Sequence, residues 1–232
     1  MKQLLSAPDP ALLEVIPQCR PLPIPAGEDA LDAVVAGENN DPLITIPSGI
    51  PTRHVYEEMN FATNPPQMAL RASVTEKILA ARASLPPEFD LVVLDGWRTL
   101  QFQGELLQHY EKMRGGSLDG YVSAPDSPNR IPPHPTGGAV DLTLTYRGVP
   151  LAMGSDFDVF EEEAHVRAFE DLPADAPPEQ QVVAALRRLL AQVLTDQGFA
   201  PYPWEWWHWS YGEQRWAAQY GHARTLFDVI AA

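Results

Sequence analysis

Two stretches hold the residues whose types and spacing could do hydrolytic chemistry: Pro133-His134-Pro135-Thr136-Gly137-Gly138-Ala139-Val140-Asp141-Leu142-Thr143-Leu144 and Trp204-Glu205-Trp206-Trp207-His208-Trp209. Together they offer two imidazoles, one short carboxylate and one longer one. A catalytic zinc peptidase site requires such a set: three protein ligands, an open position for water and a general base. His134 stands between two prolines that limit its backbone, and Gly137-Gly138 permits a tight turn that returns Asp141 toward the same point. That geometry suits two ligands, although a Pro/Gly turn entering an ordinary strand is the plainer alternative.

In the second stretch, burial of Trp204, Trp206, Trp207 and Trp209 around Glu205 and His208 lowers the local dielectric. It raises the carboxyl pKa toward that of a useful base. The spacing is a difficulty, because residues 205 and 208 of an ideal strand point to opposite faces. Both reach one site only if the segment is bulged, sharply twisted or at a strand end. An aromatic strand whose polar members face water is the competing reading. The other histidines, His54, His109, His165 and His222, have no ligand-spaced partner and read as structural or solvent-exposed. Cys19 is the only cysteine, which excludes an intrachain disulfide and a thiolate metal cluster, so a metal must use His and carboxylates.

The elements that position these residues are read from periodicity. Met68 to Leu85 has helical spacing through Leu70, Val74 and Ile78 and ends at Pro86-Pro87. Leu91-Val92-Val93-Leu94 is a buried strand, and Thr99 to Met113 is helical until Gly115-Gly116, which places Arg98 at the strand-to-helix turn. Residues 115 to 135 read as loop, Ala139 to Tyr146 as a strand, and Glu161 to Pro178 as an acidic surface excursion. Gln180 to Gln197 is a second strong helix with Gly198 as its C-cap, and Trp204 to Tyr211 an aromatic strand. Residues 1–53, with Pro17-Gln18-Cys19-Arg20-Pro21-Leu22-Pro23-Ile24-Pro25, form an extended arm that packs on a body of residues 54–232. Strands and helices interspersed without a βαβ repeat predict one α+β domain: a central, mostly antiparallel sheet, helices mainly on one face, and the metal in a cleft across it.

Over most of the chain the pattern resembles the D-alanyl-D-alanine dipeptidase family of zinc peptidases, relatives of the D,D-carboxypeptidases and of the hedgehog signalling domain. The likeness rests on Tyr56 and Asn60-Phe61, Asp95-Gly96-Trp97-Arg98, His134 to Leu144, Met153-Gly154 with Phe157-Asp158, and Leu189 to His208. The resemblance implies one zinc ion on His134, Asp141 and His208, Glu205 as catalytic base, Arg98 on the developing oxyanion, and Asp158 on the substrate ammonium. The departures lie beside His134, where Pro132-Pro133 and Pro135-Thr136 replace the family's small polar residues. Pro133 removes a hydroxyl and an amide N–H that could hold the substrate.

The implied activity is zinc-dependent hydrolysis of D-Ala-D-Ala or a related D-configured dipeptide. The rivals are a D,D- or L,D-carboxypeptidase on longer muropeptides, a non-catalytic zinc-binding interaction module, and a metal-free aromatic binding domain. With 45% apolar and 20% charged residues the chain carries enough for a sizeable core. A formal charge of −15 disfavours nucleic acid and anionic bilayers as partners. No run approaches the ~18 apolar residues that span a membrane. A soluble cytoplasmic enzyme acting on a small peptide is the expectation.

Overall fold

A computed structural model describes residues 3–59, 61–116 and 130–231. Asn60, and the part of the expected 115–135 loop that falls on 117–129, lie outside the described residues. In chain order the elements are α1 (Glu28–Leu31), β1 (Leu43–Thr45), β2 (Ala69–Arg71), α2 (Ala72–Ala83), β3 (Phe89–Asp95), α3 (Leu100–Arg114), β4 (Ala139–Tyr146), β5 (Val149–Pro150), α4 (Pro178–Thr195), β6 (Ala200–Pro201), β7 (His208–Ser210) and α5 (Gln214–Gln219). Short 3₁₀ turns at Val55–Met59, His134–Thr136 and Glu162–Ala164 interleave with them. The architecture is α+β, as expected. Its main sheet runs β3-β4-β7-β6 with β5 hairpinned onto β4, every pairing antiparallel. A separate antiparallel pair joins β1 to β2.

β4 is the central strand, and its two faces do different work. Val140, Leu142 and Leu144 enter the main core, while Asp141, Thr143 and Thr145 alternate onto the opposite face. Leu91 to Leu94 of β3 are all buried, which explains a continuous apolar run in a strand covered on both sides. α4 packs on β4, β6 and α2, and its Val182, Leu186, Leu189, Leu190 and Val193 form the expected stripe. It starts two residues earlier than read, at Pro178, a residue preorganised for the first helical position.

Three element readings need correction. Met68 to Leu85 is not one helix: Ala69–Arg71 is extended and pairs with Leu43–Thr45 before α2 begins. Leu70, Val74 and Ile78 imitate helical spacing across that boundary, and tertiary pairing overrides it. The aromatic strand shrinks to His208–Ser210, because residues before it form a turn closed by the His208 amide donating to the Glu205 carbonyl at 3.4 Å. The acidic excursion is only partly surface: Glu161 to Glu163 are exposed, but Ala164 and Val166 are buried. Arg187 of α4, itself buried, donates to the carbonyls of Met153, Glu163, His165 and Val166 and anchors that segment. In the N-terminal stretch Leu5, Leu12 and Leu22 are buried in the main core, and Asp156 accepts from the amides of Leu4 and Leu5 at 2.6 and 2.9 Å.

Candidate active site

Asp141 and His208 are cross-strand partners in the β4–β7 ladder, and His134 is delivered by the 3₁₀ turn that precedes β4. Gly137 closes that turn at φ 74°, a left-handed conformation that favours glycine, and its amide donates to the His134 carbonyl at 2.9 Å. All three side chains are buried. His134 Nε2 lies 3.4 Å from Asp141 Oδ2 and 3.2 Å from His208 Nδ1, and His208 Nδ1 lies 3.1 Å from Asp141 Oδ1. Ligand atoms about 2.0–2.1 Å from a tetrahedral ion stand about 3.3 Å apart, so one divalent ion fits between these three.

Two further observations support that fit. His134 Nδ1 is 2.7 Å from the Gly96 carbonyl, which only accepts, so a proton sits on Nδ1 and Nε2 is the nitrogen turned to the site for ligation. Gly96 itself packs against β2, where a Cβ would stand 2.7 Å from the Ala69 carbonyl oxygen. Asp141 Oδ1 is buried without a hydrogen bond despite its nearness to His208 Nδ1, an orphaned acceptor that a cation would satisfy. Burial alone would raise the Asp141 pKa, but the two imidazoles outweigh it and hold the carboxylate well below its usual range. Burial, the largest influence on His208, lowers it to about 4, so the ring is neutral and able to ligate at pH 7.

Glu205 occupies the turn before β7, where the spacing difficulty dissolves: a turn followed by a strand start brings residues 205 and 208 to one side. Its Oε2 is 3.7 Å from His208 Nδ1. Burial, reinforced by the charges of Asp141 and Asp158, pushes its pKa well above the ordinary glutamate value. Trp204 is only half-buried. Arg98, at the turn between β3 and α3, is buried and shared. Its Nε donates to Asp95 Oδ2 at 2.5 Å, its Nη1 to Gln103 Oε1 at 3.2 Å, and its Nη2 reaches Asp141 Oδ2 and the Tyr56 hydroxyl, each at 3.3 Å.

Asp158 stands on the far wall of the same cleft, in a left-handed conformation of φ 58° that is uncommon outside glycine. The hydroxyls of Tyr56 and Tyr110 donate to its Oδ2 at 2.6 and 2.5 Å. The cleft, about 470 Å³ of empty space counted out to solvent, has Pro133, Leu106, Phe160 and Tyr202 completing its walls. Five of the six expected site residues therefore line one cavity, and the sixth, Asp141, lies against the two histidines. His54, His109, His165 and His222 do not line it. The reading from sequence assigned no role to Asp95, Gln103 and Tyr110. A signal for the last two was present, since Gln103, Leu106 and Tyr110 fall at i, i+3 and i+7 on the helix that starts just after Arg98.

Residues 63–229 match the model of the D-ala-D-ala dipeptidase family, Peptidase_M15. The chain belongs to that family. Among D-alanyl-D-alanine dipeptidases, the one from Synechocystis is 28% identical over 189 residues, 70% of this chain and 76% of that protein. The Streptomyces coelicolor one is 34% identical over 129 residues, 54% of each chain. A solved LD-carboxypeptidase, LdcB, aligns over 79% of this chain and 73% of that one, with 16% identity and a TM-score of 0.36. As a member of the D-ala-D-ala dipeptidase family the chain is a metallopeptidase, and the His134–Asp141–His208 cluster is the place among its described residues where a metal fits.

Proposed function

We propose that this chain is a zinc dipeptidase that hydrolyses D-Ala-D-Ala or a related D-configured dipeptide, with one zinc ion held by His134 Nε2, Asp141 and His208 Nδ1. Residues 54–232 form its catalytic domain and residues 1–53 an arm packed on it. The observation that carries the reading is the convergence on one small cleft of the ligand triad, an elevated-pKa glutamate and a second buried carboxylate. An ion held there would supply Lewis-acid polarisation of the scissile carbonyl and lower the pKa of a bound water toward about 7.

The chain's own residues do the rest. Glu205, whose burial raises its proton affinity, takes the proton from the attacking water and delivers it to the leaving amine. Arg98 is held rigid by Asp95 and Gln103 and stabilises the oxyanion that appears only in the tetrahedral state. Asp158 receives the free ammonium of the dipeptide, and Leu106 and Phe160 wall the cleft beside it. A structural zinc site is normally closed by a fourth protein ligand and has no use for a base, so Glu205 in the cleft speaks against a non-catalytic module.

The test is a panel with zinc-loaded protein: D-Ala-D-Ala, L-Ala-L-Ala, D-Ala-D-Ser, N-acetyl-D-Ala-D-Ala and a tripeptide. Efficient cleavage restricted to free D-configured dipeptides is the expected result. Comparable kcat/KM for blocked and free dipeptides would overturn the dipeptidase reading in favour of a carboxypeptidase with an open cleft.

A further inference from the structure

Asp158 is an unusual group to leave ionised. It is buried, and two other carboxylates, Asp141 and Glu205, bear on the same cleft. The groups that face it are Tyr56 from the 3₁₀ turn, Tyr110 from α3, Arg98 from the β3–α3 turn, Asp141 from β4 and Glu205 from the turn before β7. Both tyrosine hydroxyls point their protons at one oxygen, Oδ2, and among the described residues no hydrogen bond reaches Oδ1. A carboxylate with one oxygen doubly bonded and the other unengaged at a cleft wall is fixed in orientation and keeps its negative charge for a ligand.

We infer that Tyr110 is a specificity-determining positioning residue: its hydroxyl keeps Asp158 ionised and turned so that Oδ1 meets a substrate ammonium. The inference rests on the reading of Asp158 as the ammonium acceptor, and adds that the selection of charged N-termini depends on a residue of α3 that does not itself touch the substrate. Tyr56 donates to the same oxygen while its own oxygen accepts from Arg98 Nη2 at 3.3 Å, so Oδ2 is held by two donors, of which Tyr110 is the one supplied by α3. The Tyr110 hydroxyl donates to Asp158 and lies against the Tyr56 hydroxyl, while its ring packs edge-on against Phe160 and His109, each at 5.2 Å. Removing the oxygen alone therefore leaves the ring packing in place.

Burial and the neighbouring negative charges then act on Asp158 with one fewer opposing donor. The neutral acid gains population near pH 7, and attraction for the ammonium falls with it. Burial, the largest influence, already brings the Asp158 pKa to about 6 with both tyrosines in place, so a modest further rise crosses neutrality.

The experiment compares zinc-loaded wild type, Tyr110→Phe and Asp158→Asn on D-Ala-D-Ala, with N-propionyl-D-alanine, the same skeleton without the ammonium, as a competitive inhibitor. A hydrogen bond to a charged group corresponds to roughly a ten- to hundredfold effect, so Tyr110→Phe should raise KM by about tenfold or more near pH 6.5. Its kcat and its Ki for N-propionyl-D-alanine should change less than about twofold, because neither senses the ammonium pairing. The KM defect should shrink by pH 8 as the carboxyl ionises again. An unchanged KM in Tyr110→Phe alongside a large KM rise in Asp158→Asn would overturn the role of Tyr110 alone. An unchanged KM in Asp158→Asn would overturn the underlying assignment of Asp158. Equal losses on substrate and inhibitor, independent of pH, would show Tyr110 to be merely structural and also overturn the inference.

Discussion

Glu205→Gln should keep the metal and the fold while losing nearly all turnover, because the amide is isosteric but cannot accept a proton. Metal content and kcat measured on the same preparation check this, and retention of more than about one per cent of the wild-type rate would place the base elsewhere. Asp158 yields a stability prediction of definite sign. Burial raises its pKa from 3.8 to about 6, so the folded chain holds this proton more tightly than the unfolded one. That favourable contribution is complete below about pH 4 and is lost as pH rises through about 6, leaving an ionised buried carboxylate that costs about 3 kcal/mol at pH 8. Metal-free Asp158→Asn should therefore gain stability over wild type at pH 8 but not at pH 4, by urea unfolding at each pH; a pH-independent difference would refute it. At this scale two short motifs single out His134, Asp141, Glu205 and His208 in the sequence, and the fold brings those four side chains together. The sequence was poorly legible for Tyr110 and Asp95, whose roles depend on partners far away in the chain: Tyr110 meets Asp158 across 48 positions.

Among the elements, α3 does most to frame the cleft, since Arg98 sits at its entrance and Gln103, Leu106 and Tyr110 face inward. Thr99 caps it, its hydroxyl accepting from the Phe102 amide at 3.0 Å. Thr99→Ala should destabilise the protein by about 1 kcal/mol, read as a lower melting temperature. Because Arg98 adjoins the cap, kcat should fall more than KM rises; a fall in stability with unchanged kcat would mean that Arg98 is positioned by Asp95 and Gln103 alone. Ala139–Tyr146 was read with its observed bounds because one strand lies between Gly-Gly and Arg-Gly, both strong breakers. The segment 204–211 was read too long because tryptophans favour strands wherever they fall. Here the burial of Trp206 and Trp207 is satisfied in a turn, whose Trp206 amide donates to the Ala164 carbonyl at 2.9 Å.

For the whole molecule, the N-terminal stretch matters more than its few short elements suggest. Leu5, Leu12 and Leu22 are almost fully buried, and each contributes roughly 1.5–3 kcal/mol relative to exposure. Removing residues 1–22 should cost a large share of a total stability of about 5–15 kcal/mol, even after the regained chain entropy is counted. A denaturant midpoint within error of the full chain would show the arm to be dispensable. Its Pro-rich composition predicts an extended arm, while the contact of Asp156 with the amides of Leu4 and Leu5 joins residues too distant for periodicity to register. The pairing of Asp141 with His208 across β4 and β7 has a consequence of another kind. Two of the three residues that would hold a metal are spaced by a hydrogen-bonded ladder of the sheet. Such a frame does not reshape itself around its guest, and nitrogen and carboxylate donors bind several first-row divalent metals in the order of their intrinsic affinities. The ion that occupies the chain in a living cell is then chosen by what the cell supplies, and stripped protein refilled with cobalt should fold alike while gaining visible absorption that reports directly on the ligand cage.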